Sequence, residues 1–309
     1  MKVRLTQKDI QLLSFLGRYK VMLAADSKMI YKSKDYHFKR LKVLEKERYI
    51  KRINRYFIKL DINGVKLMKD FGYEYRNVCR KKEYQDRLRE VVKIATLTLD
   101  SKMQFNASWD MKDNNIFTET ARKYLGELEY QGKKLIAYYI SKDKERVYIK
   151  QTINDIQKTI KYKDTIIFIE NFKILNKSYN YFIFGKESTL IINPNKLNVE
   201  KMRILEKIDL YEILKQLYPN KEILLSNWKK ADYMADNKNF IIWMPFIDTE
   251  KLHRLNIYFK ESKKINREID IITLKENINK INEILTNRTN TIILDNLLGG
   301  IDGGKTQKR

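Results

Sequence analysis

The stretch KDYHFKRLKVLEKERYIKRINRYFIKL, residues 34–60, decides how the first part of the chain is read. Its first half carries Phe38, Leu41 and Leu44 at helical spacing behind a capping Ser33, which predicts a helix over 34–48. Its second half alternates apolar and charged residues in two short runs, 49–53 and 56–60, joined at Asn54-Arg55, which predicts a hairpin. The apolar period changes from 3.6 to 2 near Tyr49, so a helix passes directly into a basic hairpin. Between 34 and 56 nine Lys or Arg stand against three acids.

Working outward, Thr6 and Asp9 have the spacing of a cap with an acidic residue at N3, and Ile10, Leu13 and Leu16 follow at helical spacing up to Gly17. A helix is expected over 7–19 and a second, short one over 24–31. After the hairpin, Asp61 to Gly64 opens a further helix through Val65, Leu67 and Met68 that ends near 71–72. Helices followed by a basic hairpin make a winged helix-turn-helix, expected over 1–75. In the segment 81–100, Leu88, Val91, Val92, Ala95 and Leu99 share one helical face, which predicts a helix bridging or dimerising domains within 76–103.

Beyond 104 the pattern becomes short β-branched or aromatic runs, at 135–140, 165–169, 181–184, 190–192, 223–225, 240–243 and 291–294. Helical candidates lie between them near 145–160, 198–217 and 275–286. Such alternation predicts an α/β domain with a mixed sheet over 104–298, and hence an α+β protein overall. No internal repeat is evident, and GGIDGGKTQKR at 299–309 reads as a tail.

The 309 residues hold 63 Lys plus Arg against 39 Asp plus Glu, a formal charge of +24, and 21 basic against 8 acidic residues fall within the first 80. That balance calls for a polyanionic partner. One Cys (Cys79) excludes a disulfide framework, and two distant His (His37 and His253) exclude a His/Cys metal site and a Ser/His/Asp or Cys/His catalytic group. The first ten residues lack the apolar core of a signal peptide, and no run reaches the roughly 18 apolar residues of a membrane span. The reading is cytoplasmic, with no membrane partner.

On the expected third helix, the side opposite the apolar stripe carries Tyr36, Lys39, Val43 and Lys46, with Arg40 and Lys42 on its flanks. Lys and Arg neutralise phosphates or donate to guanine edges, and an aromatic ring or a valine meets a thymine methyl, so this face is the candidate reader of duplex DNA. Lys51, Arg52 and Arg55 in the wing are placed to reach the minor groove or flanking phosphates. The alternative is a solvated helix face beside a hairpin kept soluble by charge. His37 reads as a packing or phosphate-contacting residue rather than a base.

Gly299, Gly304, Lys305 and Thr306 match a phosphate-loop pattern, but three residues after Thr306 cannot form the helix that completes such a site. No cofactor is called for. Glu127 and Glu129 alternate on one expected strand, with Asp143 and Lys144 after the next, which raises a metal-dependent nuclease or nickase. The intervening strand, 134–140, carries no acid, so a non-enzymatic role is preferred.

Leu5-Thr6 with Asp9, Ile10 and Leu13, then Arg40-Leu41 with Leu44, the wing residues 49–52 and 56–60, and Gly64 resemble the replication-relaxation family. These are winged-helix proteins of plasmids and conjugative elements, often with a restriction-endonuclease-like second half. The segment 87–92 matches that family's bridging helix. The resemblance implies a DNA-binding protein of a plasmid or mobile element, acting in replication initiation, conjugative transfer or partition. Its nuclease-like half would be degenerate, since Ala137-Tyr138-Tyr139 stands where an acid is expected. A protein partner for the second domain and a homodimer stay open, as do a transcriptional regulator using the same module and an RNA-binding protein.

Overall fold

The computed structural model describes residues 4–33, 35–53, 55–75, 82–111, 123–144, 146–157, 164–171, 188–261, 267–285, 289–295 and 297–298. The expected strand at 181–184, the tail at 299–309, Cys79, and the helix and turn positions Lys34 and Asn54 lie outside them. The protein is α+β and divides into two units, 1–111 and 112–309.

In the first unit, α1 (Gln7–Tyr19) begins as the Thr6/Asp9 spacing requires. The Asp9 carboxylate accepts from the Thr6 backbone N–H at 2.6 Å, and the Thr6 hydroxyl accepts from the Asp9 N–H. Next come β1 (Val21–Leu23), a 3₁₀ turn, α2 (Ser27–Tyr31), α3 (Tyr36–Lys46), β2 (Ile50–Arg52), β3 (Phe57–Leu60) and α4 (Ile62–Asp70). The strands form an antiparallel sheet in the order β1-β3-β2, with Val21 opposite Lys59 and Ile50 opposite Leu60. Strand β1 was not anticipated. Three residues are too short to show a period, and what makes them a strand is the partner β3, some 35 residues on.

Two expectations for the central helix change. It starts at Tyr36, whose N–H donates to the Ser33 hydroxyl at 3.2 Å, and Phe38 does not belong to its buried stripe. His37, Leu41 and Leu44 are buried, while Phe38 is 45% exposed. Positions i, i+4 and i+7 lie closer to one line on a helix than i, i+3 and i+6, and the narrow packed seam selects the former. The bridging segment is also different. Helix α5 (Lys82–Leu97) buries Leu88, Val91, Val92, Ile94 and Ala95 against α1 and β1, so it is part of the first unit, and Leu99 lies beyond its end. Strand β4 (Gln104–Ala107) belongs there too: the Tyr19 hydroxyl donates to the Phe105 carbonyl at 2.7 Å, and the Trp109 indole donates to that of Arg18. The boundary therefore falls after Met111 rather than near 75 or 104.

The second unit holds two mixed sheets rather than one. Strands β5 (Gly126–Tyr130) and β6 (Lys133–Ile140) form a hairpin whose turn uses Gly132 at φ +73°. Helix α6 (Arg146–Gln157) crosses to β7 (Asp164–Ile169), parallel to β6, and β8 (Ser188–Ile192) continues parallel to β7. Then follow α7 (Lys196–Leu205), α8 (Leu210–Leu217), β9 (Ile223–Leu225), β10 (Tyr233–Ala235) and β11 (Asn239–Trp243). After β12 (Ile247–Asp248), which closes the first sheet against β8, come α9 (Thr249–Glu261), β13 (Glu268–Thr273), α10 (Ile278–Leu285) and β14 (Asn290–Ile293). The second sheet runs β9-β10-β11-β13-β14, antiparallel up to β11 and parallel from there. Both sheets thus pass from an antiparallel hairpin to parallel crossovers. In β6 and β7, residues 135–140 and 165–169 are buried throughout, as strands covered on both faces are.

Asp270 stands among the isoleucines Ile269, Ile271 and Ile272 of β13. It is buried and accepts from the Tyr218 hydroxyl and the Asn239 amide, both at 2.6 Å, and from the Asn290 amide at 3.1 Å. Burial, then the bond to Asp270, pushes the Tyr218 hydroxyl well above the usual tyrosine range, so it stays a donor.

Candidate nucleic-acid interface

The geometry of α3 starts from a buried charge. Asp9 is fully buried, and Arg40 reaches it with Nε at 2.9 and 3.0 Å and with Nη2 at 2.6 Å, while the Tyr31 hydroxyl donates to its other oxygen at 2.7 Å. The same Nη2 donates to the Arg4 carbonyl at 2.8 Å. The carboxylate that starts α1 is therefore the one that grips α2 and α3. Burial alone would raise its pKa, but the bonds from Arg40, Thr6 and Tyr31 outweigh it and hold the carboxyl below the ordinary 3.8. A carboxylate with a depressed folded pKa contributes stability above its unfolded value and loses it as pH falls through the folded one. Asp9's contribution to the stability of the first unit is expected to be fully present above about pH 5 and to fall away below about pH 4. Acid titration of its unfolding transition by hydrogen exchange checks this, and a flat profile down to about pH 2.5 would contradict it.

This pair corrects the place of Arg40, expected on the DNA-facing flank: its side chain is 12% exposed and its guanidinium is engaged by Asp9. The other predicted residues of the helix do face outward. Tyr36, Lys39, Lys42 and Lys46 are exposed, and among the described residues none of the three lysines has an ion-pair partner. Val43 is half-buried. In the hairpin, Lys51 meets Asp61 at 3.0 Å and Arg52 meets Glu45 at 2.9 Å, both from exposed positions, while Arg55 is exposed with no carboxylate beside it among the described residues. Its backbone carbonyl accepts from Arg52 at 3.4 Å.

Sequence reasoning missed two features. Phe38 and Ile53 stand exposed within this basic surface. Asp9 acts as its anchor, for which the only sequence signal was an acid already explained by the cap. His37 takes the packing one of its two expected roles: its Nδ1 faces the Ser33 carbonyl at 3.0 Å, and its Nε2 is buried with no partner among the described residues.

The acids considered for a nuclease stand where the sequence places them, Glu127 and Glu129 on one strand of a hairpin and Asp143 after the other. Glu127 is buried and meets Lys134 at 3.4 Å, and β5 and β6 form the hairpin that carries Glu127, Glu129 and the acid-free run. Among the described residues no group of three or more His, Cys, Asp or Glu comes together in a metal-holding arrangement, and no helix is long and apolar enough to cross a membrane. Comparison of the chain with family models, with curated proteins and with solved structures returned no match.

Proposed function

We propose that the first unit is a winged helix that binds double-stranded DNA, with α3 entering the major groove and the β2–β3 hairpin lying along the backbone. One observation carries this reading: Lys39, Lys42 and Lys46 project with no ion-pair partner among the described residues from a helix clamped through Arg40, beside a hairpin bearing Lys51, Arg52 and Arg55. Unpaired cations on a rigid element bind phosphates with little ordering cost, and a clamped helix holds its register in a groove. The role proposed is non-enzymatic and belongs to a plasmid or other mobile element, in replication initiation, transfer or partition. The replication-relaxation resemblance supports that context. The second unit would serve assembly or a partner protein.

The test is the salt dependence of duplex binding by the full chain together with two substitutions. Neutralising about five phosphates gives a slope of log affinity against log salt of about −4 to −5, and a slope near zero would remove the proposal. Lys39→Ala is expected to weaken the selected site by about 1 to 3 kcal/mol and random duplex much less, as the loss of a base contact does. Arg55→Ala is expected to weaken both duplexes alike and flatten the slope by about one. Equal losses for Lys39→Ala on both duplexes would take α3 out of the groove.

A further inference from the structure

The hairpin loop between β9 and β10 presents Trp228 beside rings from two other elements. Its indole lies 4.9 Å from the Tyr258 ring of α9 and 5.2 Å from the Phe240 ring of β11, both edge-on. The loop is held in shape by Ser226, whose hydroxyl accepts from the Trp228 N–H and donates to its carbonyl, both at 3.0 Å. Over this cluster lies the guanidinium of Arg267, 5.2 Å from the Trp228 centroid, 5.5 Å from Phe240 and 5.8 Å from Tyr258, donating to the Tyr258 hydroxyl at 3.3 Å.

Arg267 is exposed and, among the described residues, meets no carboxylate, whereas Arg18, Arg40, Arg48, Arg52, Arg89 and Arg254 each do. Lys229 and Lys230, next to Trp228 in the chain, likewise have no ion-pair partner among the described residues. A planar cation close to three aromatic rings, with two lysines next in the chain to one of those rings, matches a ligand that is flat and anionic at once. A nucleotide has both properties. In a duplex the base faces are hidden by stacking, so only an unpaired nucleotide offers one.

We infer that this cluster of the second unit binds single-stranded nucleic acid, an unpaired base stacking on Arg267 and the rings beneath it while Lys229 and Lys230 meet the flanking phosphates. The site lies within the second unit, and the inference does not rest on the duplex-binding reading of the first.

The experiment is fluorescence anisotropy of the full chain with labelled oligothymidine of about 12 nucleotides, the same length of oligouridine, and an abasic strand of equal charge. The base-bearing strands are expected to bind at least fivefold more tightly than the abasic strand. Arg267→Ala and Trp228→Ala should each remove most of that advantage while leaving duplex affinity unchanged. Arg267→Lys, which keeps the charge but not the plane, should remove it as well. Trp228→Ala removes a half-buried ring, so the surface variants of Arg267 decide the matter if that protein fails to fold. Equal binding of abasic and base-bearing strands would reduce the patch to an anion-binding surface and overturn the inference, as would an unchanged preference in Arg267→Ala.

Discussion

Arg40→Ala is expected to lower the stability of the first unit by about 3 kcal/mol, far more than loss of a surface ion pair, because it leaves the Asp9 carboxylate buried and uncompensated. Asp9 would keep its bonds to Thr6 and Tyr31, which satisfy oxygen atoms but do not balance the charge. The measurement is the denaturant dependence of hydrogen exchange in α1 and α3 of the full chain, since two units need not unfold in one step. A companion, Asp9→Asn with Arg40→Met, removes both charges and should recover at least about 1 kcal/mol of the loss, the pattern seen when buried ion pairs are replaced whole. A loss below about 1 kcal/mol for Arg40→Ala would mean that α3 is held by Leu41 and Leu44 alone.

Gly64→Ala is expected to have an effect at least as large. A Cβ at that position of α4 would stand 2.0 Å from the Tyr49 carbonyl oxygen and 3.1 Å from Leu60 Cδ2. Neither neighbour can give way. The Tyr49 carbonyl accepts from the Asp61 N–H at 3.0 Å, and Leu60 is buried in β3 opposite Ile50. The methyl must therefore lift α4 off the start of the hairpin, a loss of about 3 kcal/mol or more where overpacking meets backbone. Gly72→Ala is the control: its φ of +83° carries local strain of about 1 kcal/mol, but nothing lies within 4 Å of the added carbon. Similar melting curves for the two variants would show that α4 is free to shift.

Legibility in the sequence followed how local each cause was. Helix α1 was readable to its ends because Thr6 and Asp9 are neighbours that act on one another. The hairpin was readable because its partners lie a few residues apart. Strand β1 was hidden because its partner is remote, and β13 because Asp270 breaks an apolar run, a break that makes sense only once Tyr218, Asn239 and Asn290 are brought to it. Helix α9 has Leu252, Leu255 and Phe259 at helical spacing, and it was not among the helices expected from the sequence. The shared plan of the two sheets left no trace, since topology can agree where residues do not. Of the surface proposed to meet DNA, the lysines could be named from periodicity. The diversion of Arg40 could not, because its partner lies 31 residues away on another helix.

Strand β2 ends its sheet, and among the described residues it pairs only with β3. An open edge offers its backbone to any other extended chain, and Lys51 and Arg52 are the residues that make such an approach repulsive. Stripping charge from the hairpin would therefore do more than loosen a grip on phosphate: it would leave the exposed Ile53, at the end of this edge, undefended, inviting strand-to-strand aggregation. A wing triply substituted with alanine should become turbid at concentrations where the parent stays clear, most readily in high salt, where the remaining charge is screened.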